Sequence, residues 1–232
     1  MNISIYADGA NKDQIYELCD NKKISGFTTN PTLMKQAGIR NYKSFANELL
    51  SEIKDKPISF EVFADELHEM EKQATEISSW GSNVNVKIPI MNTNKISTVP
   101  LIKKLVSKDI YCNITAIFTI DQIKSILEVI NSDTEIILSI FAGRIADTGL
   151  DPIPIVKEAV SLCEKFPKVK ILWASPREVL NIVQAEKAGC HIITISNDLL
   201  NKMSLFGKDL DQFSLETVKM FFDDAKSSGF NI

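Results

Sequence analysis

The sequence has few of the residues that bind transition metals or form disulfides. It contains two histidines, His68 and His191, and its four cysteines are scattered along 232 residues without a CxxC pair. Because metal sites need clustered His, Cys or carboxylate ligands at short spacing, we expect no metal site. Scattered, irregularly spaced cysteines are typical of proteins in a reducing compartment, and we therefore expect a cytoplasmic protein.

The sequence also lacks long apolar runs and any excess of positive charge. Its longest apolar runs, such as EIILSIFAG at 135–143, are far too short to span a bilayer. The first residues, MNISIYADGA, do not resemble a secretory signal. A net charge of −4 gives no general attraction to nucleic acid or to an anionic membrane, so we expect the protein to bind neither.

The sequence does contain a regular alternation of short apolar runs and longer segments of helical period. The eight apolar runs are ISIYA (3–7), GFTTN (26–30), ISFEV (58–62), VNVKIP (84–89), YCNITA (111–116), EIILSIFA (135–142), KILWAS (170–175) and HIITIS (191–196). Alternating strands and helices predict a parallel sheet covered by helices. Eight units in so short a chain favour a closed (β/α)8 TIM barrel over a doubly wound sheet. With no linker or repeat, we predict one domain over 1–232, ending in an extra amphipathic helix.

Polar side chains recur on one face of these runs. Lys87 lies between Val86 and Ile88, and a buried ammonium is costly unless it is paired or loses its proton. Successive side chains of a strand point to opposite faces, so we expect Asn85 and Lys87 to point into the barrel. The same alternation gives the other expected inward residues: Tyr6, Asp8, Thr28, Asn30, Ser59, Glu61, Asn113, Thr115, Ser139, Phe141, Trp173, Ser175, Thr194 and Ser196, with Arg177 just beyond. Many of them collect near the carboxyl ends of the strands, where the active sites of such barrels lie.

A buried lysine beside carboxylates suggests chemistry at a carbon–carbon bond. The neutral amine of such a lysine can attack a carbonyl and form a Schiff base, which withdraws electrons from the neighbouring bond. Asp8 and Glu61 are candidates for acid, base or water-positioning roles. Three residues could hold the phosphate of a sugar: Arg144, Ser175 and Arg177. The alternative for Lys87 is a side chain that reaches solvent or pairs with a structural carboxylate.

Five motifs follow one another in the order, and at the spacing, of one known family. They are GFTTNPTL (26–33), VKIPI (86–90), NITAIFTIDQ (113–122), SIFAGRIADTG (139–149) and ASPRE (174–178). The first looks like the TTNP signature of transaldolases, and the second resembles the strand that carries the Schiff-base lysine in the short branch of that family. Over essentially its whole length, the chain resembles the transaldolase family, which includes the fructose-6-phosphate aldolases.

The resemblance implies a role for each matching residue. Lys87 would form the Schiff base, and Asp8 would be the acid/base at the cleaved bond. Glu61 and Thr115 would hold the water that carries protons to and from the imine. The residues expected to bind substrate are Thr28, Asn30, Asn113, Ser139 and Phe141 around the donor, and Arg144, Ser175 and Arg177 around its phosphate. The resemblance implies phosphorylated sugar substrates and no metal or organic cofactor.

Two positions favour a transaldolase over an aldolase that releases free dihydroxyacetone. The aldolase branch typically carries Gln where Glu61 lies and Tyr where Phe141 lies, whereas this chain matches the transaldolase pattern at both. The alternatives are the aldolase, a non-catalytic barrel that binds sugar phosphates and, third, a metal-dependent aldolase or isomerase.

Short family members form rings through a C-terminal helix, and the apolar MFF at 220–222 leads us to expect a homo-oligomer. A helix that docks on its own barrel is the alternative.

Overall fold

In the computed structural model, which describes residues 2–230, eight parallel strands form a closed barrel in chain order. The strands are β1 Ser4–Asp8, β2 Ile24–Thr28, β3 Ile58–Glu61, β4 Val84–Pro89, β5 Cys112–Ile117, β6 Ile136–Ile140, β7 Val169–Trp173 and β8 Ile192–Ser196. Parallel pairing of β1 with β8, from Ser4 opposite Ile192 to Asp8 opposite Ser196, closes the barrel. The predicted TIM barrel is therefore confirmed. The assignment of 1–232 to a single domain stays a prediction.

Helices cover the outside of the barrel. They are α1 Lys12–Cys19, α2 Pro31–Gln36, α3 Tyr42–Glu52, α4 Leu67–Ser78, α5 Val99–Val106, α6 Ile120–Leu127, α7 Ala142–Ala146, α8 Ile153–Leu162, α9 Leu180–Lys187, α10 Asn197–Lys202 and α11 Leu210–Ser227. The short helices α2 and α7 follow β2 and β6 directly, so both lie at the carboxyl ends of the strands. None of the helices described is long and apolar enough to cross a membrane.

The start of α2 shows how the sequence places a helix at this end of the barrel. Asn30 follows β2 in an extended conformation, and its side chain accepts a hydrogen bond from the backbone N–H of Leu33. Pro31 then occupies the first turn, where its fixed φ suits a helix and its missing N–H costs nothing. The NPT segment of the sequence therefore turns the chain sharply from β2 into α2.

Two layers of apolar side chains fill the molecule. The larger layer lies between the strands and the helices, and a smaller cluster fills the barrel interior around Tyr6, Ile137 and Leu172. The expectation that Trp173 points inward is wrong, because Trp173 packs in the outer layer. Leu172 and Ala174, on either side of Trp173, lie in the inner cluster, and Ser175 then has a left-handed backbone with φ of 59°. Ser175 therefore reaches the interior through an irregular turn.

The expected extra C-terminal helix is α11, an 18-residue helix in which none of the residues is buried. Its apolar side chains face solvent, including Phe221 at 62% and Phe222 at 66% exposure. An apolar surface of this kind on a long helix is typical of an interaction site.

Candidate active site

A cavity of about 450 Å³ opens at the carboxyl ends of the strands. The predicted site residues that line it are Asp8, Thr28, Asn30, Glu61, Lys87, Asn113, Thr115, Ser139, Phe141, Arg144 and Ser175. Arg177, which the sequence predicts just beyond the strand as a phosphate ligand, does not line it. Residues from all eight strands and from the loops behind them meet in this cavity because the carboxyl ends of parallel strands share one face of a barrel.

Lys87 lies at the floor of the cavity and is 7% exposed. Its Nζ is 3.1 Å from Oε2 of Glu61 and donates a hydrogen bond of 3.0 Å to the backbone carbonyl of Thr29. The register of β3 and β4 puts Glu61 directly opposite Lys87, so the two side chains lie next to each other on the inner face. This carboxylate compensates the cost of burying the ammonium, which explains a lysine within an apolar strand.

Asp8 ends β1 on the other side of the cavity and is held by threonines. Thr28 Oγ1 donates a 2.7 Å hydrogen bond to Asp8 Oδ1, and the Thr28 hydroxyl also contacts the hydroxyl of Thr194 on β8. Burial raises the pKa of Asp8, while the nearby Lys87 and the hydrogen bond from Thr28 act in the opposite direction. A carboxyl group with a raised pKa can exchange a proton closer to neutral pH than an ordinary aspartate.

A buried hydrogen-bonded chain supports the floor between β3, β5 and β6. Ser139 Oγ donates to Asn113 Oδ1 at 2.6 Å, and Asn113 Nδ2 donates to Ser59 Oγ at 3.1 Å. Asn113 lies opposite Lys87 in the register of β4 and β5. Because each donor in this chain has a fixed acceptor, the chain fixes the orientation of the Asn113 amide beside the lysine.

Thr115 lies in an irregular part of β5. The register of β5 and β6 shifts between Ile114 and Ile117, and Ala116 has a left-handed backbone with φ of 57°. Within residues 2–230, the hydroxyl of Thr115 is buried and has no hydrogen-bond partner, and the same is true of the Thr29 hydroxyl after β2. Buried hydroxyls are nearly always hydrogen-bonded, so a Thr115 hydroxyl that lines the cavity is suited to bind a polar group there.

The mouth of the cavity is cationic on the side of β6 and β7. The guanidinium of Arg144 on α7 lies over the ring of Phe141, 5.5 Å from its centroid. Arg177 instead contacts the carboxylate of Asp147, through Nε to Oδ1 at 2.9 Å and through Nη2 to Oδ2. Arg177 therefore lies just outside the cavity, next to Arg144, rather than in its lining.

Close contact between backbone atoms joins α7 to the loop that follows β7. A Cβ atom at Gly143 would lie 1.6 Å from the carbonyl oxygen of Ser175, so the position admits only glycine. The irregular turn at Ser175 and the missing side chain at Gly143 together bring α7 against the loop that follows β7. This contact sets the distance between Arg144 and the loop that carries Ser175 and Arg177.

Several lining residues were missing from the predicted site. Leu172 and Ala174 line the cavity in place of Trp173, because the alternation along β7 was assigned to the wrong face. Residues of α2, namely Thr32, Leu33 and Gln36, form part of the wall. The capping signal of Asn30 and Pro31 could have indicated a helix at that end of the barrel. In the part of the chain that the structure describes, there is no group of three or more His, Cys, Asp or Glu residues that could hold a metal ion.

Comparison with known proteins agrees with this architecture. A sequence model of the transaldolase/fructose-6-phosphate aldolase family matches residues 5–232. A probable transaldolase of Carboxydothermus hydrogenoformans is 35% identical over 202 residues, covering 87% of this chain and 90% of that protein. Probable transaldolases of Dehalococcoides mccartyi (32% over 200 residues, 86% and 89% coverage) and Desulforudis audaxviator (30% over 223 residues, 96% and 97%) are also similar. The chain therefore belongs to the transaldolase/fructose-6-phosphate aldolase family.

Proposed function

We propose that the protein is a transaldolase that moves a dihydroxyacetone unit from a ketose phosphate to an aldose phosphate through a Schiff base on Lys87. The observation that carries the proposal is the floor of the cavity. There a single lysine, 8% exposed at its side chain, lies 3.1 Å from one carboxylate and faces a second across the cavity. A binding site alone would not need a buried amine that can form an imine.

The first half of the reaction is formation of the imine. The ammonium of Lys87 gives up a proton, and Glu61 at 3.1 Å is the base within reach. The amine then adds to C2 of the ketose, and the resulting carbinolamine loses water to give the iminium ion. The unpartnered hydroxyl of Thr115 and the carboxylate of Glu61 are suited to hold the water that carries these protons.

Cleavage requires a base at the C4 hydroxyl, and we assign that role to Asp8. Asp8 takes the hydroxyl proton, the C3–C4 bond breaks, and its electron pair moves into the C2–C3 bond and neutralises the iminium nitrogen. The aldose phosphate leaves, and the dihydroxyacetone enamine stays on Lys87. Addition to an acceptor aldose phosphate runs the same steps in reverse, with Asp8 returning the proton to the new hydroxyl. The hydrogen bond from Thr28 orients Asp8 for both transfers.

The cationic mouth suits the phosphate of the donor and the acceptor. Arg144 and Ser175 line the cavity there, and Arg177 lies next to them as a second cation. Guanidinium groups bind phosphate oxygens in pairs and with directional hydrogen bonds. We propose Arg144, Ser175 and Arg177 as the phosphate site, which would make phosphorylated sugars the preferred substrates.

Glu61 and Phe141 support the proposal that dihydroxyacetone is transferred rather than released. The aldolase branch typically has hydroxyl and amide groups at these positions, whereas Phe141 places an apolar ring at the cavity wall. With less water held near the enamine, its protonation is slow, and the three-carbon unit stays on Lys87 until an acceptor arrives. The lyase is the alternative that the experiment below distinguishes.

The test is chemical trapping with fructose 6-phosphate and borohydride, followed by intact mass and peptide mapping. We expect a reduced three-carbon adduct on Lys87, no adduct in Lys87→Met, and an intact six-carbon adduct in Asp8→Asn. Donor consumption without an acceptor aldehyde should stop after about one equivalent. Continued consumption would identify an aldolase, and ketose binding without an adduct from any phosphorylated ketose would identify a binding barrel.

We also infer that the protein is a homo-oligomer and acts in the cytoplasm. The apolar side chains of α11 face solvent on one chain, and a second copy is the simplest partner to cover them. All four cysteines are free, and Cys112, Cys163 and Cys190 are buried, as suits a reducing compartment.

A further inference from the structure

Asp147 is a residue at the cavity mouth to which the reaction above gives no role. It follows α7, the helix that carries Arg144, and its carboxylate accepts two hydrogen bonds from the guanidinium of Arg177. Arg144 lines the cavity and has no ion-pair partner in the part of the chain that the structure describes. Arg144 and Arg177 both lower the pKa of Asp147, so the carboxylate is charged and close to both arginines.

The geometry of the contact leaves Arg177 able to bind an anion. A guanidinium has five N–H donors, and Asp147 uses the one on Nε and one on Nη2. Three remain, two on Nη1 and the second on Nη2. They form the fork at the end of the group that binds two phosphate oxygens in one plane. The contact with Asp147 therefore fixes the plane of the guanidinium without occupying that fork.

The backbone around the pair is fixed as well. The N–H of Arg177 donates a 2.7 Å hydrogen bond to Asn181 Oδ1 at the start of α9. The stem of Arg177 passes over Gly143, with its Cγ 3.4 Å from the position a Cβ would take there. Gly143 precedes Arg144 in the chain, so the same close contact holds both arginines at the mouth.

We propose that Asp147 is a positioning residue that orients the free fork of Arg177 toward the phosphate of the substrate, beside Arg144 and Ser175. This inference rests on the proposed function, because it needs a phosphorylated substrate. An unrestrained arginine loses much rotamer freedom when it binds a phosphate. Because Asp147 already holds the guanidinium in the free protein, the side chain loses its rotamer freedom on folding rather than on binding, and the affinity for phosphate rises.

Charge and orientation predict opposite effects when the carboxylate is removed. Asp147→Asn removes a negative charge near the mouth, and by charge alone it would tighten the binding of phosphate. If Asp147 acts by orienting Arg177, the same substitution weakens the binding, because an amide offers the guanidinium only one acceptor. The sign of the change therefore decides between the two explanations.

The probe is inorganic phosphate, with its affinity measured by isothermal titration calorimetry. We expect Asp147→Asn to weaken binding by about tenfold, as is typical when a charge-assisted hydrogen bond is lost. Arg177→Ala should weaken it at least as much, and adding Asp147→Asn to Arg177→Ala should have no further effect. Arg177→Lys, which keeps the charge and loses the fork, should also weaken binding. The control is Glu71→Gln, which removes a carboxylate from a pair with Lys104 and Lys108 away from the mouth and should change nothing.

Kinetics with a phosphorylated ketose give a second readout. Asp147→Asn should raise KM with little change in kcat, and trapping of unphosphorylated dihydroxyacetone on Lys87 should match that of the unsubstituted protein. Unchanged or tighter phosphate binding in Asp147→Asn would overturn the inference, as would additive effects in the double variant or no phosphate binding by the original protein. A lower melting temperature with unchanged phosphate affinity would make the pair merely structural. Trapping needs no phosphate and phosphate binding needs no turnover, so failure of the proposed function would be recognised separately.

Discussion

Truncating Glu61 to alanine leaves the ammonium of Lys87 buried with one neutral partner, the carbonyl of Thr29. The lysine side chain is 8% exposed and the carboxylate 18% exposed, so water replaces little of the lost interaction. Breaking a buried ion pair by removing one partner costs about 3–5 kcal/mol. Because Glu61 keeps some contact with solvent, we expect the lower end, about 3 kcal/mol of the free energy of unfolding.

The assay is urea denaturation of a double-mutant cycle. Glu61→Ala should lower the midpoint without changing the slope, since the surface exposed on unfolding stays almost the same. The variant Lys87→Met/Glu61→Ala should recover most of the loss, because neither charge then remains buried. Glu61→Gln should lose less than Glu61→Ala, since its amide oxygen can still accept a hydrogen bond from Nζ.

Equal stabilities of Glu61→Ala and the original protein would refute this reasoning. They would mean that the Lys87 side chain reaches solvent or that the pair contributes nothing to the folded state. Equal stabilities of Glu61→Ala and the double variant would be just as damaging. In that case the loss would come from the cavity left by the truncated side chain and not from an unpaired charge.

Three further predictions address other parts of the molecule. Gly143→Ala should cost at least about 2 kcal/mol in thermal denaturation, since its Cβ would lie 1.6 Å from the Ser175 carbonyl oxygen; an unchanged melting temperature would contradict that contact. Because burial raises the pKa of Asp8, its contribution to stability is present below about pH 4 and is lost as the pH rises through the folded-state pKa. Asp8→Asn should therefore remove a decline in stability with rising pH while it abolishes cleavage, and parallel pH–stability curves for the two proteins would argue against a raised pKa. Replacing Phe221 and Phe222 with charged residues should convert an oligomer into monomers, as measured by light scattering, without changing imine trapping. If the original protein is already a monomer, the proposed homo-oligomer is wrong.

The barrel could be predicted because its pattern is local and repeated eight times. Each strand is a short apolar run before a helical segment, and the alternation of faces alone predicts that Asp8, Glu61 and Lys87 lie on the inner side. The prediction was wrong along β7, where Leu172 and Ala174 face the interior and Trp173 faces the helices, because Ser175, which was given the same face as Trp173, has a left-handed backbone that interrupts the alternation. Strand alternation holds only while the backbone stays extended, and nothing in KILWAS marks where it stops.

The contact between Arg177 and Asp147 could not be predicted from the sequence, for a different reason. Arg177 and Asp147 are 30 residues apart and follow different strands, so no helical or strand period connects them. Their contact depends on how closely the two loops approach, and that distance is set by a glycine at 143 and a left-handed turn at 175. Spacing rules describe single elements, whereas this pair results from the packing of two loops.

Closure of the barrel between β1 and β8 has a consequence for how the protein matures. Asp8 is held by Thr28, and the Thr28 hydroxyl in turn contacts Thr194, which enters the chain almost at its end. During synthesis, β1 through β7 can pair in order, but the first strand gains its second neighbour only when the last strand appears. Cleavage activity would therefore be absent from every nascent chain that ends before β8. Its onset would mark the moment at which the two ends of the sheet meet.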